Sequence, residues 1–159
     1  MLYLDSSALL KHYIRESGSA ALNAKLNETP LHQAGVFISV VGYAEILATF
    51  ARRVRENLIS ESQARLLRYV FLDDWMFSLS PVELSVGVSG FISELVNKHP
   101  LRGADAIHLA SALWLRDALR LGRQFGAVNR SLTFISADKQ LNRAASAEGL
   151  QVFDPQDKN

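Results

Sequence analysis

Four acidic residues of this chain lie where they could act together on one or two metal ions. Asp5 directly follows the apolar segment LYL, and Asp138 follows the segment LTFIS by two residues. Glu45 lies about two turns into the helix expected after VFIS, on the side opposite an apolar stripe, so it is no core residue. Asp105, within LRGADAIHLASAL, lies in the first turn of another helix. Each acid also has an ordinary alternative role, as a helix cap or as a solvated side chain.

Carboxylates that meet in a fold need a counterion. At about 4 Å and an effective dielectric constant near 20, each pair of like charges costs roughly 4 kcal/mol. An all-oxygen ligand set in a chain without cysteine favours a hard cation, Mg²⁺ or Mn²⁺. Such a cation can activate a bound water molecule. The sequence therefore predicts that these four acids are metal ligands and catalytic residues.

Alternating strands and helices must position the four acids. The predicted strands are LYLD (2–5), VFIS (36–39), FSLSPV (77–82), LTFIS (132–136) and LQVF (150–153). The predicted helices cover 6–17, 20–28, 40–55, 60–74, 83–98, 103–122 and 138–149. This alternation is typical of an α/β domain with a parallel sheet covered on both faces. Because chemistry in such sheets gathers at the carboxyl ends of the strands, the acids can share one edge.

Polar side chains are predicted to begin several of these helices. Ser60 with Gln63 resembles a capping box. Ser39 is another predicted N-cap, and capping is the alternative role of Asp5 and Asp138. For Asp5 and Asp138, capping and metal binding are compatible.

The composition excludes several classes of protein. A length of 159 residues suits one domain, and 48% hydrophobic with 21% charged residues excludes disorder. The absence of cysteine excludes disulfides and thiolate sites. A net charge of +1 makes no polycation, although 12 of the 17 cationic residues are arginines, which suit phosphate. Met1 runs directly into LYLD without a leader, and no apolar run reads as a membrane span, so we expect a cytoplasmic protein.

Four segments resemble the acidic motifs of PIN-domain ribonucleases, and more narrowly those of the VapC toxins of type II toxin–antitoxin systems. They are YLDSSALLKHYIRESGS, VGYAEILATFARR, LRGADAIHLASAL and FISADKQLNRAASAEGL. The resemblance extends from Leu2 to Phe153, in family order and at family spacing. It implies a single PIN domain over residues 1–159, a three-layer α/β/α sandwich with a parallel central sheet in the order 3-2-1-4-5.

The resemblance also implies a function. It makes the chain an endoribonuclease that uses Mg²⁺, or Mn²⁺ in its place, to cut structured RNA such as tRNA or rRNA. Its partners would be a cognate VapB-like antitoxin and a second copy of itself in a homodimer. Its acids map to Asp5, Glu45, Asp105 and Asp138. The family's small polar residue near the first acid maps to Ser7, and its hydroxyl before the last acid to Ser136.

Further residues are candidates for supporting roles. Ser7 and Ser136 are candidates for RNA contact, as is Arg102, which precedes Asp105 by three residues and could reach the cleft. His108 is not an acid and is not counted as a ligand; it could line the cleft or be a partly exposed structural residue.

Three other classes of protein also place acids at strand ends or share these motifs. A receiver-type phosphotransfer switch needs paired acids after the first strand and a lysine after the fifth, and neither fits. A haloacid dehalogenase phosphatase needs Asp-x-Asp where this chain has Asp5-Ser6-Ser7. A housekeeping PIN nuclease in RNA processing stays open, and a neighbouring gene for a small DNA-binding protein would decide against it.

Overall fold

The structure, a computed structural model, describes residues 1–28, 35–124 and 131–157. The strands in these residues are β1 (Leu2–Leu4), β2 (Val36–Ser39), β3 (Leu79–Val82), β4 (Thr133–Ile135) and β5 (Gln151–Phe153). The helices in the same residues are α1 (Ser6–Tyr13), α2 (Ser19–Glu28), α3 (Val41–Arg55), α4 (Glu61–Phe77), α5 (Val86–Lys98), α6 (Gly103–Gln124) and α7 (Lys139–Ala147). Strands and helices therefore alternate as the sequence predicts.

The five strands form one parallel sheet in the order β3-β2-β1-β4-β5, which confirms the predicted order. The central strand β1 pairs with β2 and β4, and Leu2 lies opposite Val36 on one side and Thr133 on the other. Since all strands run the same way, their carboxyl ends meet at one edge. Asp5 therefore leaves the sheet beside the ends of β2 and β4.

Helices cover both faces of the sheet, as the predicted three-layer sandwich requires. Leu2 and Leu4 of β1 belong to one buried cluster, with Ile38, Phe50 and Phe71 among others. Tyr3, which points to the opposite face, belongs to a second cluster that includes Phe134, Leu109 and Leu113. Strand β1 is thus apolar at every position because both of its faces are buried.

One predicted cap is wrong. Ser39 ends β2 with its side chain fully buried, and Val40 precedes α3 without a side-chain capping bond. The chain turns directly from strand to helix there, so the Ser39 hydroxyl stays inside the sheet layer and cannot reach the first turn of α3. By contrast, the predicted capping box of Ser60 and Gln63 is confirmed.

Several predicted boundaries shift by a few residues. Helix α1 ends at Tyr13 and not at residue 17, because Ile14 already has extended backbone angles. Helix α4 continues to Phe77, so β3 starts two residues later than predicted. Helix α5 begins at Val86, because Ser85 accepts a hydrogen bond from the Val88 N–H and acts as its cap. These shifts leave the four acids at their predicted places in the topology.

Within the described ranges, none of the helices combines the length and the apolar character needed to cross a membrane.

Candidate active site

Asp5 is held at the junction of β1 and α1 by donors from three directions. Its Oδ1 accepts a hydrogen bond from the Ala8 N–H at 2.8 Å, which confirms the predicted cap of α1. The Ser7 hydroxyl lies 2.9 Å from both carboxylate oxygens, and the Ser136 hydroxyl donates to Oδ2 at 2.7 Å. Only 4% of Asp5 is exposed. This carboxylate is therefore fixed in position before any ligand binds.

Burial dominates the electrostatics of Asp5. Desolvation raises the pKa of the Asp5 carboxyl, while His108, the Ala8 N–H and the two serine hydroxyls oppose the rise. Hydrogen bonds to a carboxylate favour its ionised form, whereas burial disfavours it. A buried carboxylate with these neighbours is a favourable ligand for a cation, which would offset the cost of the charge.

Glu45, in the second turn of α3, is half-buried and faces α1 and α6. Its Oε2 accepts a hydrogen bond from the Ser6 hydroxyl at 2.7 Å and lies 2.9 Å from His108 Nε2. The hydrogen bond from His108 is the main cause that lowers the pKa of Glu45, against the effect of burial. Glu45 is therefore a charged side chain directed at the same edge of the sheet as Asp5, and not a freely solvated one.

Asp105 lies in the first turn of α6, as predicted. Its pKa is raised, first by burial and then by the negative charge of Asp138, with a further contribution from Glu45. The Arg102 backbone N–H and His108 act in the opposite direction. The charges of Asp138 and Glu45, from two other elements of the fold, therefore act on Asp105.

Asp138 caps α7, as predicted. Its Oδ1 accepts hydrogen bonds from the Gln140 and Leu141 N–H groups at 2.7 and 2.9 Å. The residue is exposed, and the Ser136 hydroxyl, which donates to Asp5, accepts a bond from the Asp138 N–H at 2.9 Å. Asp138 is therefore tied to Asp5 through one serine.

The described side chains do not form a ready-made cation cage. Across residues 1–28, 35–124 and 131–157, no three His, Asp or Glu side chains are grouped closely enough to hold an ion. Asp5, Glu45 and Asp138 instead accept hydrogen bonds from hydroxyl, imidazole or backbone donors. The atoms available to bind a cation are nevertheless all carboxylate oxygens. Asp5 is buried, and neighbouring negative charges raise the pKa of Asp105. This chemistry fits a hard divalent cation.

The three candidates for RNA contact differ in accessibility. Ser136 is completely buried, and its hydroxyl is engaged with Asp5, which argues against the contact predicted for it. Ser7 is partly exposed, but its hydroxyl faces Asp5 and accepts a bond from the Ala137 N–H at 3.0 Å. Arg102 is exposed, and no ion pair within the described ranges engages it. Arg102 is thus the candidate best placed for phosphate.

Sequence reasoning missed the residues that hold Glu45. His108 is only 2% exposed, so neither of its two predicted roles describes its position fully. Ser6 lies 3.1 Å from His108 Nε2 as well as against Glu45. Two signals were present in the sequence: His108 follows Asp105 by three residues, on the same helical face, and Ser6 is next to Asp5.

Comparison with known proteins gives the family. The PIN domain family matches residues 2–147. Ribonuclease VapC45 of Mycobacterium tuberculosis (strain CDC 1551 / Oshkosh) is 30% identical over 152 residues, which cover 96% of this chain and 94% of the relative. Ribonuclease VapC49 of Mycobacterium tuberculosis (strain ATCC 25618 / H37Rv) matches with the same identity and coverage.

Solved structures share the fold. FitAcB from Neisseria gonorrhoeae superimposes with a TM-score of 0.66 at 17% identity and covers 98% of both chains. VapBC2 from Rickettsia felis, bound to a DNA fragment from its promoter, has a TM-score of 0.63 at 13% identity and covers 97% of this chain and 98% of its own. At these identities the structures support the fold alone. The match over residues 2–147 and the 30% identity to two relatives along nearly their whole length establish that this chain belongs to the PIN domain family, in the group of ribonucleases named VapC.

Proposed function

We propose that this protein is a metal-dependent endoribonuclease and the toxin of a type II toxin–antitoxin pair. The observation that carries the proposal is the buried Asp5 at the end of the central strand, tied through Ser136 to Asp138. The negative charges of Asp138 and Glu45 also raise the pKa of Asp105. Relatives named as VapC ribonucleases support RNA as the substrate. We propose structured RNA, tRNA or rRNA, because the VapC resemblance implies it.

Partners and cofactor follow from the same reasoning. PIN-domain VapC nucleases are generally dependent on a divalent metal, and the oxygen-only donor set favours Mg²⁺, with Mn²⁺ as a substitute. A toxin–antitoxin complex from Klebsiella pneumoniae, which superimposes with a TM-score of 0.59 at 17% identity, supports a VapB-like antitoxin as partner. Residues 1–159 would form one PIN domain, and two copies of the chain would form a homodimer. The protein would act in the cytoplasm.

The chain's own residues would divide the work. Asp5, Glu45, Asp105 and Asp138 would hold the cation, and Ser7 and Ser136 keep Asp5 aligned through their hydroxyls. When bound, the cation supplies activation of water and neutralisation of phosphate charge. Arg102, exposed at the start of α6, would contact a phosphate of the RNA, for which its planar guanidinium is suited.

Expression of the chain without its antitoxin tests the toxin function. We expect induction to arrest growth, and Asp105→Ala to relieve the arrest, because the variant loses one of the proposed ligands. Growth curves at matched protein level, with sequencing of new RNA 5′ ends, measure both the arrest and the RNA that is cut. Ends within tRNA or rRNA would support the proposed substrate.

A control variant separates loss of a ligand from loss of any acid. Asp73, an exposed residue of α4, should tolerate Asp73→Ala with the arrest unchanged. Arrest that persists in Asp105→Ala contradicts the site. RNA cleavage without growth arrest points instead to a housekeeping nuclease.

Arg102 should contribute one phosphate contact. Arg102→Ala is expected to weaken RNA binding and to reduce the slope of log affinity against log salt by about 0.9, the effect of one counterion-releasing contact. The measurement is a salt titration of RNA binding with an uncleaved RNA. Arg65→Ala, a change at an exposed arginine of α4, is the matched control and should leave the slope unchanged. Equal slopes for the wild type and Arg102→Ala would place Arg102 outside the RNA interface.

A further inference from the structure

A hydrogen-bonded network of polar side chains lies in the buried layer beneath Glu45. His108 Nε2 lies 2.9 Å from Glu45 Oε2, and His108 Nδ1 lies 3.3 Å from the Tyr3 hydroxyl. The Ser6 hydroxyl contacts both Glu45 and His108: it lies 2.7 Å from Glu45 Oε2 and 3.1 Å from His108 Nε2. The four side chains come from β1, α1, α3 and α6, so this network connects the sheet with the helices that carry the acids.

Hydrogen-bonding capacity decides the direction of the contacts. An ionised Glu45 can only accept, so the hydrogen between it and His108 belongs to Nε2. When His108 is neutral with its hydrogen on Nε2, Nδ1 accepts from the Tyr3 hydroxyl, and when His108 is protonated, Nδ1 donates to that hydroxyl. In both states the contact orients the imidazole ring from behind. Tyr3 is itself fixed, because it is fully buried and stacks on Phe134 with ring centroids 5.5 Å apart. The Glu45 carboxylate is therefore held by donors that cannot easily move.

The same helix carries Asp105 and His108. They are three residues apart on α6, so they lie on neighbouring positions of one helical face. A shift of α6 relative to the sheet would move Asp105 directly and Glu45 through His108. The positions of two of the four acids are thereby coupled through one rigid element.

We infer that His108 is a positioning residue that aims the Glu45 carboxylate at the cation site, with Tyr3 fixing the orientation of its ring. This inference rests on the proposed function, since it assumes that the four acids hold a divalent cation. Residues that orient a metal-binding side chain commonly contribute about 10–100-fold to metal affinity. We therefore expect a loss of affinity of this size when His108 is replaced.

A purely structural role is the rival explanation. His108 could serve only to satisfy polar groups between α6 and α3, in which case its removal would destabilise the fold without a specific effect on metal binding. A conservative replacement separates the two roles. Glutamine at position 108 can place an amide N–H near the position of Nε2, whereas leucine fills the space without any donor.

The test is Mn²⁺ binding to the whole protein in the absence of RNA, measured by electron paramagnetic resonance titration. We expect His108→Leu to weaken Mn²⁺ binding by about 10–100-fold and His108→Gln to recover most of the loss. Tyr3→Phe keeps the ring stacked on Phe134 and removes only the hydroxyl, and should weaken binding several-fold. His99→Leu is the matched control: it removes a 2.7 Å contact between a histidine and Glu148, outside the four acids, and should leave affinity unchanged.

Each outcome has a distinct meaning. A folded His108→Leu protein that binds Mn²⁺ as tightly as the wild type overturns the inference and leaves the proposed function standing. If His108→Leu does not fold, Tyr3→Phe tests the inference instead. Wild-type Mn²⁺ affinity in Tyr3→Phe would then also overturn it. A wild type that binds no Mn²⁺ contradicts the proposed function itself and the inference with it. Weakened binding in His108→Leu and recovery in His108→Gln support the positioning role.

Discussion

Asp5→Asn is expected to lower the rate of RNA cleavage by at least about 100-fold, more than the loss of a residue that only orients a ligand. The change keeps the size of the side chain but removes the buried charge at the end of β1. It also places an amide N–H₂ opposite donors, since the Ala8 N–H and the hydroxyls of Ser7 and Ser136 all point at this carboxylate. The variant should therefore hold a cation poorly even when it is folded.

Single-turnover cleavage of the RNA identified in arrested cells measures this effect. Wild-type cleavage should need Mg²⁺ or Mn²⁺ and stop in EDTA. Ca²⁺ should support little turnover, because its looser coordination positions the reacting groups poorly. Asp73→Asn, at an exposed position of α4, is the matched control and should cleave like the wild type. Cleavage by folded Asp5→Asn at the wild-type rate, or wild-type cleavage in EDTA, would refute the assignment of Asp5.

The architecture could be read from the sequence because its strands are short apolar runs separated by well-marked helices. Strand β1 is buried at every residue, and this gives an uninterrupted apolar segment that only a two-sided parallel sheet explains. The acid that follows it must then leave the sheet at the carboxyl edge. The strand order came from the family resemblance, since nothing local in the sequence determines which strands are neighbours.

The ends of the helices and strands were less predictable, because they depend on which side chain can reach the free N–H groups of a helix's first turn. Ser39 looks like a cap in the sequence, yet its side chain is buried and Val40 takes the cap position. Ser85, which was not predicted as a cap, accepts a bond from the Val88 N–H and delays the start of α5. Both residues are serines before an apolar helix, and only the path of the chain decides which one can reach the first turn.

The places of the four acids in the fold could be predicted from the sequence, but the residues that hydrogen-bond to them could not. Asp5 and Asp138 follow strands, so topology alone brings them to one edge. The bond between Ser136 and Asp5 joins residues 131 positions apart, and the bond between His108 and Glu45 joins residues 63 apart. Such contacts depend on the register of the sheet and on the packing of α6 against α3. Sequence spacing carries no information about either of them.

Asp105→Asn should make the metal-free protein more stable. Asp105 is repelled by Asp138 and Glu45 and is partly desolvated, so removing its charge relieves repulsion. The relief should be about 1–3 kcal/mol at low ionic strength, toward the lower end of that range because Asp105 is partly exposed and water screens the repulsion. Loss of a favourable charge at the start of α6 should subtract less than about 1 kcal/mol. The net gain should raise the melting temperature by a few degrees, since about 1 kcal/mol corresponds to 2–4 °C at this size.

The pH dependence of that gain identifies its cause. The pKa of Asp105 is higher in the folded than in the unfolded protein, so ionisation of this group destabilises the fold as pH rises through that interval. The wild type should therefore approach the stability of Asp105→Asn as pH falls toward about 4, the ordinary value for aspartate. At neutral pH the difference should be at its largest.

Mg²⁺ should reverse the order of the two proteins. A cation that binds only the folded wild type stabilises it by about 2.7 kcal/mol at a hundredfold excess over its dissociation constant. Asp105→Asn, with one ligand fewer, should gain much less. Four thermal melts, of each protein with EDTA and with Mg²⁺, measure both effects. If the variant melts below the wild type in EDTA and both proteins gain equally from Mg²⁺, Asp105 serves only the start of α6, and the cation must bind without it.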